Sequence, residues 1–167
     1  MLKKLLLAAF VVAPMCLAAQ VKMGYVNPME IFNVMPEKAT AENTLKTASE
    51  KYETEFKNLQ TAFQKKAEDY DKADKDATTP QAIKDRHMQE LQEDYQKIQN
   101  FQQTAAQDIQ RQQEQLLAPI QQKLQDAIKA VGAEGGYTFI YDTSSLLYVG
   151  TGAEDLTAKV KAKLGIK

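Results

Sequence analysis

The chain has 167 residues, with 21 Lys and Arg against 22 Asp and Glu, one histidine and one cysteine. A formal net charge of −1 gives it no electrostatic reason to seek DNA or an anionic membrane surface. A single cysteine excludes an internal disulfide framework and a multi-thiolate metal site.

The first residues bear on compartment. Met1, Leu2, Lys3 and Lys4 make a short positive start, Leu5 to Val12 is an unbroken apolar run, and Ala18 and Ala19 are small. That order predicts a secretory signal peptide over residues 1–19, with Gln20 as the first mature residue. The apolar run is too short for the roughly 20 residues of a bilayer span. Cys16 falls inside this leader, and Pro14-Met15 before it does not fit a lipoprotein signal. Loss of Lys3 and Lys4 leaves 19 basic residues against 22 acidic ones, so the mature chain is slightly acidic.

Val21 to Val26 alternates apolar and other residues and reads as a short strand. Asn27-Pro28-Met29-Glu30 reads as a helix start with a capping residue, proline at the first turn and a capping box. Met35-Pro36 marks the next boundary.

From Pro36 to about Ala77 the sequence is polar and helix-favouring. Leu45, Ser49, Tyr52, Phe56, Leu59, Phe63, Lys66, Tyr70, Ala73 and Ala77 recur at alternating steps of four and three, which is a heptad seam. Residues 74–79 interrupt it as a polar tip, and Thr79-Pro80 restarts a helix that runs to about Val131. The expected seam of this second helix is Met88, Leu91, Tyr95, Ile98, Gln102, Ala105, Ile109, Gln112 and Leu116. Beyond it the spacing shifts to Ile120, Leu124 and Ile128, and Pro119 predicts a bend near 116–120. Two long helices joined by a short turn fold back antiparallel, the second overshooting the first at the base.

Gly135-Gly136 ends the second helix. Tyr137 to Tyr141 and Leu146 to Val149 are rich in aromatic and β-branched residues and predict a β-hairpin around the turn 142–145. Thr151 to Glu154 reads as a capping box opening a last helix with Leu156, Val160 and Leu164 on one face.

The fold class expected is therefore mainly α with a small β body. A helical hairpin over 36–131 projects from a body made of 20–35 and 132–167. So small a body, without disulfide or metal, buries too little surface to stand alone, which predicts association through it. Tyr25, Val26, Phe139, Ile140, Tyr141, Leu146 and Tyr148 are the candidate association residues.

Catalytic chemistry finds little support. His87 has no second histidine or cysteine to share a metal and reads as a solvated surface residue. Glu68-Asp69 and Glu93-Asp94 read as solvated helix faces. Gly150-Thr151-Gly152 lacks the third glycine and lysine of a phosphate loop. No cofactor, metal or nucleic-acid partner is expected, and the chain is not read as an enzyme.

The Lys-x-Gly-Tyr-Val-Asn strand (Lys22 to Asn27), Ile31-Phe32, the Gln-rich hairpin, Tyr-x-Phe-Ile-Tyr-Asp (Tyr137 to Asp142) and Asp155-Leu156-Thr157 together resemble the Skp/OmpH family of periplasmic chaperones. The resemblance implies a homotrimer whose bodies join. Its hairpins would extend as tentacles around a cavity, holding unfolded outer-membrane barrel proteins without ATP. Better-known members are basic and this mature chain is slightly acidic, so lipopolysaccharide or anionic-membrane contacts are not carried over, and membrane contact is at most peripheral. Phe101, outside the expected seam, and Met88, at its first position, are candidate client contacts as side chains the seam does not consume, with packing on the neighbouring helix as the alternative. A structural or adaptor coiled coil of the cell envelope is the rival reading.

Overall fold

The computed structural model describes residues 21–166; the leader expected at 1–19 and its cleavage point lie outside them. Strand β1 is Met23–Val26, followed by helices α1 (Pro28–Val34), α2 (Pro36–Lys75) and α3 (Gln81–Gly135), strand β2 (Phe139–Asp142), strand β3 (Ala153–Asp155) and helix α4 (Thr157–Lys163). At about 1.5 Å per residue, the 40 residues of α2 and 55 of α3 reach roughly 60 Å and 82 Å, so α3 overshoots α2 as expected.

The breaks follow local chemistry. The Asn27 side chain accepts from the Glu30 N–H at 3.0 Å, and Pro28 occupies the first turn of α1. The reciprocal half of the expected capping box is absent. Glu30 turns instead to Lys161 at 2.6 Å, and the Asn27 N–H donates to Thr157 Oγ1 at 3.1 Å. Met35 is extended because Pro36 follows it. At the tip, Asp76 Oδ1 accepts from the Thr78 N–H at 2.8 Å and from its hydroxyl at 2.7 Å. Thr79 does not cap α3: its hydroxyl donates to the Ala73 carbonyl at 2.7 Å. Gly136 ends α3 in the left-handed region at φ 64°, which a side chain would strain.

Helix α3 runs unbroken through Pro119. Pro119 is exposed, so the Gln115 carbonyl that loses its partner lies on a wetted side of the helix.

The β region differs from the hairpin expected. Its sheet has three parallel strands in the order β2-β1-β3, with Met23 paired to Phe139 on one side and to Ala153 on the other. Leu146 to Val149 is irregular chain, and the residues read as a capping box supply β3 in place of a helix start. The physical reason is a missing turn. Asp142 caps a short 3₁₀ turn at Thr143–Ser145, accepting from the Ser144 N–H at 2.8 Å, so the chain leaves β2 without folding back on it. The central position goes to β1, reached only through the whole helical hairpin, which thereby serves as the crossover between parallel neighbours.

The core sits where hairpin meets sheet. Val26, Ile31, Met35, Ala41, Leu156 and Val160 pack with Ile120, Leu124, Ala127 and Val131, the last third of α3. Gly24 is required at this junction: a Cβ there would lie 2.5 Å from Leu156 Cδ1, and Leu156 is fully buried.

Candidate functional site

Two surfaces could meet a macromolecule: the long hairpin and the uncovered side of the sheet. The hairpin is held by a seam that is polar for much of its length. Near the tip, His87 stacks on Tyr70 with ring centroids 3.9 Å apart at 7°, and its Nδ1 lies 3.1 Å from Asp74. Only 15% of the His87 side chain is exposed, so it is a packed seam residue and not the solvated one expected from sequence. No group of metal-ligating residues gathers around it among the described residues.

Below it, Glu90 accepts from the Tyr70 hydroxyl and from Arg86 Nε at 2.7 Å, which holds its carboxyl down at about 2. The same bond raises the Tyr70 phenol above its ordinary range. Lys66 reaches Asp94 at 2.8 Å and Glu90 at 3.6 Å, lowering the Asp94 carboxyl. Asp94 is thus a seam residue, whereas its neighbour Glu93 is exposed. Further down, the Tyr52 hydroxyl donates to Asp108 Oδ2 at 2.6 Å and Gln112 adds a second bond, so Asp108 is lowered and Tyr52 raised. Between these clusters lie Phe63 against Tyr95 and Tyr52 against Phe101, with centroids 6.4 and 6.0 Å apart.

The seam expected on α2 is the one observed down to Ala73, each of its residues being half-buried; Ala77 lies beyond the helix and is exposed. On α3 the expected seam holds at Leu91, Ile98, Ala105, Ile109, Gln112 and Leu116, each half-buried. His87, Glu90, Asp94, Phe101 and Asp108 face α2, while Met88, Tyr95 and Gln102 are exposed, Met88 at 71% and Tyr95 at 53%. Of the two client-contact candidates, Met88 therefore stands free. Phe101 packs on Tyr52, against the expectation that it lies outside the seam. Phe101 and Tyr52 also border an open groove of about 820 Å³ whose α2 side includes Thr40, Thr44 and Thr47.

The second surface is the sheet face turned away from the helices. Along β1 the burial alternates, Gly24 and Val26 being buried and Met23 exposed. Along β2, Phe139 and Tyr141 are exposed with ring centroids 6.1 Å apart, while Ile140 lies against Gly132 of α3. The candidate association residues therefore divide. Val26 and Ile140 belong to the core side, Phe139 and Tyr141 to the exposed side with half-buried Tyr25 of β1 paired to Tyr141, and Leu146 is half-buried in the connection. Tyr148 is 84% exposed, and sequence reasoning missed Leu147 beside it, which is fully exposed, and Met23. Both could have been found, since each is an apolar side chain next to a residue already singled out.

Comparison with known proteins gives a consistent pattern. A family profile described as outer membrane protein (OmpH-like) matches residues 22–164. The chaperone protein Skp of Yersinia enterocolitica is 30% identical over 166 residues, covering 95% of this chain and 97% of that protein. The chaperone protein Skp of Pectobacterium atrosepticum is 27% identical over 140 residues, covering 83% and 82%. A crystal structure of an outer membrane chaperone (OmpH-like) from Caulobacter crescentus CB15 superposes with a TM-score of 0.75 at 18% identity, covering 85% of this chain and 82% of that one, a likeness of fold.

Proposed function

The chain belongs to the OmpH-like family, and from that premise we propose that it is a periplasmic, ATP-independent holdase that keeps unfolded outer-membrane proteins from aggregating. It acts as a homotrimer joined through the sheet bodies, with the hairpins enclosing the client.

The observation that carries this reading is the half-covered parallel sheet. Parallel sheets are almost always covered on both faces. Here α1, α3 and α4 cover one face only, Met23, Phe139 and Tyr141 remain exposed on the sheet, and the connection from β2 to β3 exposes Leu147 and Tyr148 as well. Association of bodies through this face removes that apolar surface from water and supplies the core a small domain lacks. The hairpins are then carried at one point and left free along their length. Their seam of half-buried tyrosine–carboxylate and lysine–carboxylate pairs gives them shape without the rigidity of a Leu/Ile coiled coil. Several such arms add shallow contacts by multivalency, so holding requires no deep pocket, and release requires only a competing destination.

The test combines mass and activity. Purified protein is added to a urea-diluted outer-membrane barrel protein while turbidity is followed, and its mass is measured by light scattering. Trimer mass with suppressed aggregation is expected. A variant carrying Leu147→Asp and Tyr148→Asp should lose both while keeping its helical circular dichroism. Unchanged aggregation at several-fold excess of the wild-type protein refutes the holdase; a monomer mass refutes the trimer.

A further inference from the structure

The two sides of the hairpin are chemically unequal, and the inequality lies on α3. Between Arg86 and Arg111 the charged residues are Arg86, Glu90, Glu93, Asp94, Lys97, Asp108 and Arg111. At about 100° per residue they all fall within an arc of roughly 100° centred opposite Met88. The arc around Met88 holds Gln92, Tyr95, Gln99, Gln102, Ala106, Gln110 and Gln113, every one exposed and none charged. It lies beside the seam, since the Tyr95 ring rests against Phe63 of α2.

Among the described residues, four of the five glutamines of this stripe are free, and Gln110 donates to Glu114 at 3.3 Å. Elsewhere on α3 some amides are engaged within the helix, Gln89 with Glu93, Gln96 with Asn100 and Gln112 with Asp108, while Gln103, Gln107 and Gln115 are as free as those of the stripe, so the absence of charge is what sets the stripe apart. Among the described residues, the side chains of Gln92, Gln99, Gln102 and Gln113 make no hydrogen bond. Each therefore presents two N–H donors and a carbonyl acceptor to whatever lies alongside.

We infer that this stripe is the track on which the client chain lies, and that its occupant is an extended, uncharged segment of an unfolded membrane β-barrel. The inference rests on the holdase reading and assigns its contact surface. An unpaired strand carries N–H and C=O groups in equal number, and glutamine amides can satisfy both, whereas lysine only donates and a carboxylate only accepts. Met88 and Tyr95 supply adaptable apolar contact between the amides. No charge has to be stripped of water when a lipid-facing strand settles there. Length also agrees: Met88 to Gln113 spans roughly 38 Å of helix, and a membrane strand of 9–11 residues extends about 30–36 Å. The stripe repeats about every 5 Å while a strand repeats about every 6.6 Å on one side, so the two never lock in register and the client can slide and leave.

The experiment uses the full mature chain with a urea-diluted outer-membrane barrel protein. One variant carries Gln92→Glu, Gln99→Glu and Gln102→Glu; a control of equal charge carries Gln89→Glu, Gln96→Glu and Gln107→Glu on the side facing away from α2. Glutamate matches glutamine in helix propensity, and circular dichroism reports retained folding. The stripe variant should need about tenfold more protein to suppress aggregation, since burying a charge opposes client contact, while the control matches wild type. Independently, a benzophenone side chain at position 99 should crosslink to the client several-fold more than one at position 97. An active wild type with stripe and control variants alike, or equal crosslinking from 99 and 97, overturns the track and leaves the holdase standing. A wild-type protein that does not suppress aggregation overturns both.

Discussion

Leu156→Ala isolates the junction between hairpin and body. Leu156 is fully buried, its methyls fill the space left by Gly24, and its N–H donates to the Tyr25 carbonyl at 2.8 Å. Truncation removes about three buried carbon groups, worth roughly 2.4 kcal/mol of transfer, and leaves a cavity that the close packing of Ile31, Val26 and Val160 cannot fill. A loss of about 3–4 kcal/mol is expected. Hydrogen exchange read by mass spectrometry resolves where it falls. Amides of β1 should lose protection by roughly 150–900-fold, while amides around Leu59 and Ile98, far along the hairpin, keep theirs. Equal loss in both regions would mean that hairpin and body open as one unit. An unchanged β1 would mean that Leu156 does not hold the sheet to the helices. Either result defeats the description of the junction given above.

Two further expectations concern the hairpin. Glu90, Asp94 and Asp108 are lowered in the folded chain by Tyr70, Lys66 and Tyr52, so their contribution is complete above the ordinary carboxylate range and lost as pH falls below it, for Glu90 from 4.5 toward about 2. Tyr52 and Tyr70 are raised, so theirs is complete below pH 10 and lost above it. Melting temperature against pH should therefore show a plateau that falls at both ends. Glu90→Gln should lower the plateau and flatten the acid limb, and an acid limb that superposes on wild type refutes the assignment. Pro119→Ala restores a backbone donor to the Gln115 carbonyl on an exposed stretch of α3 and should stabilise the chain by about 1–3 kcal/mol in urea denaturation. A loss of stability would mean that the proline is needed where it packs beside Leu116 and Ile120.

Much of the fold was legible because it is written locally. Asn27-Pro28, Met35-Pro36 and Gly136 mark helix ends through backbone geometry, and the long heptad pattern needs no tertiary information. The sheet was less legible, since whether Tyr137 to Tyr141 pairs with the next segment or with β1 is decided by a chain reversal far away. β3 carries only Ala153, Glu154 and Asp155, which no propensity marks as strand. The α3 side of the seam is only partly legible, for a different reason. Leu91 and Ile98 sit in the seam as their spacing indicates, whereas Met88 and Tyr95 are turned outward, because beside its apolar residues α2 offers the polar Tyr52, Lys66 and Tyr70. Asp108, Asp94 and Glu90 answer those hydrogen bonds, and a seam built from polar pairs leaves no trace in a hydrophobic pattern. The candidate contact surface is half visible in the same pattern: Met88 stands out as a contact candidate, whereas Tyr95 reads as a seam residue.

The hairpin's place between β1 and β2 also bears on the order of folding. Met23 has no partner in its sheet until Phe139 has been made, and closing so long a loop in an open chain is slow. The hairpin removes that obstacle. Its contacts form outward or inward from a tight turn at Asp76, each zipping step joining residues already brought near by the last. When the zipper reaches Ala41 and Ile120, the two ends that must pair lie side by side. The arm thus acts as the clasp for its own base: shortening it should leave the sheet able to form, whereas cutting it at the tip should leave β1 and β2 searching for one another as separate chains.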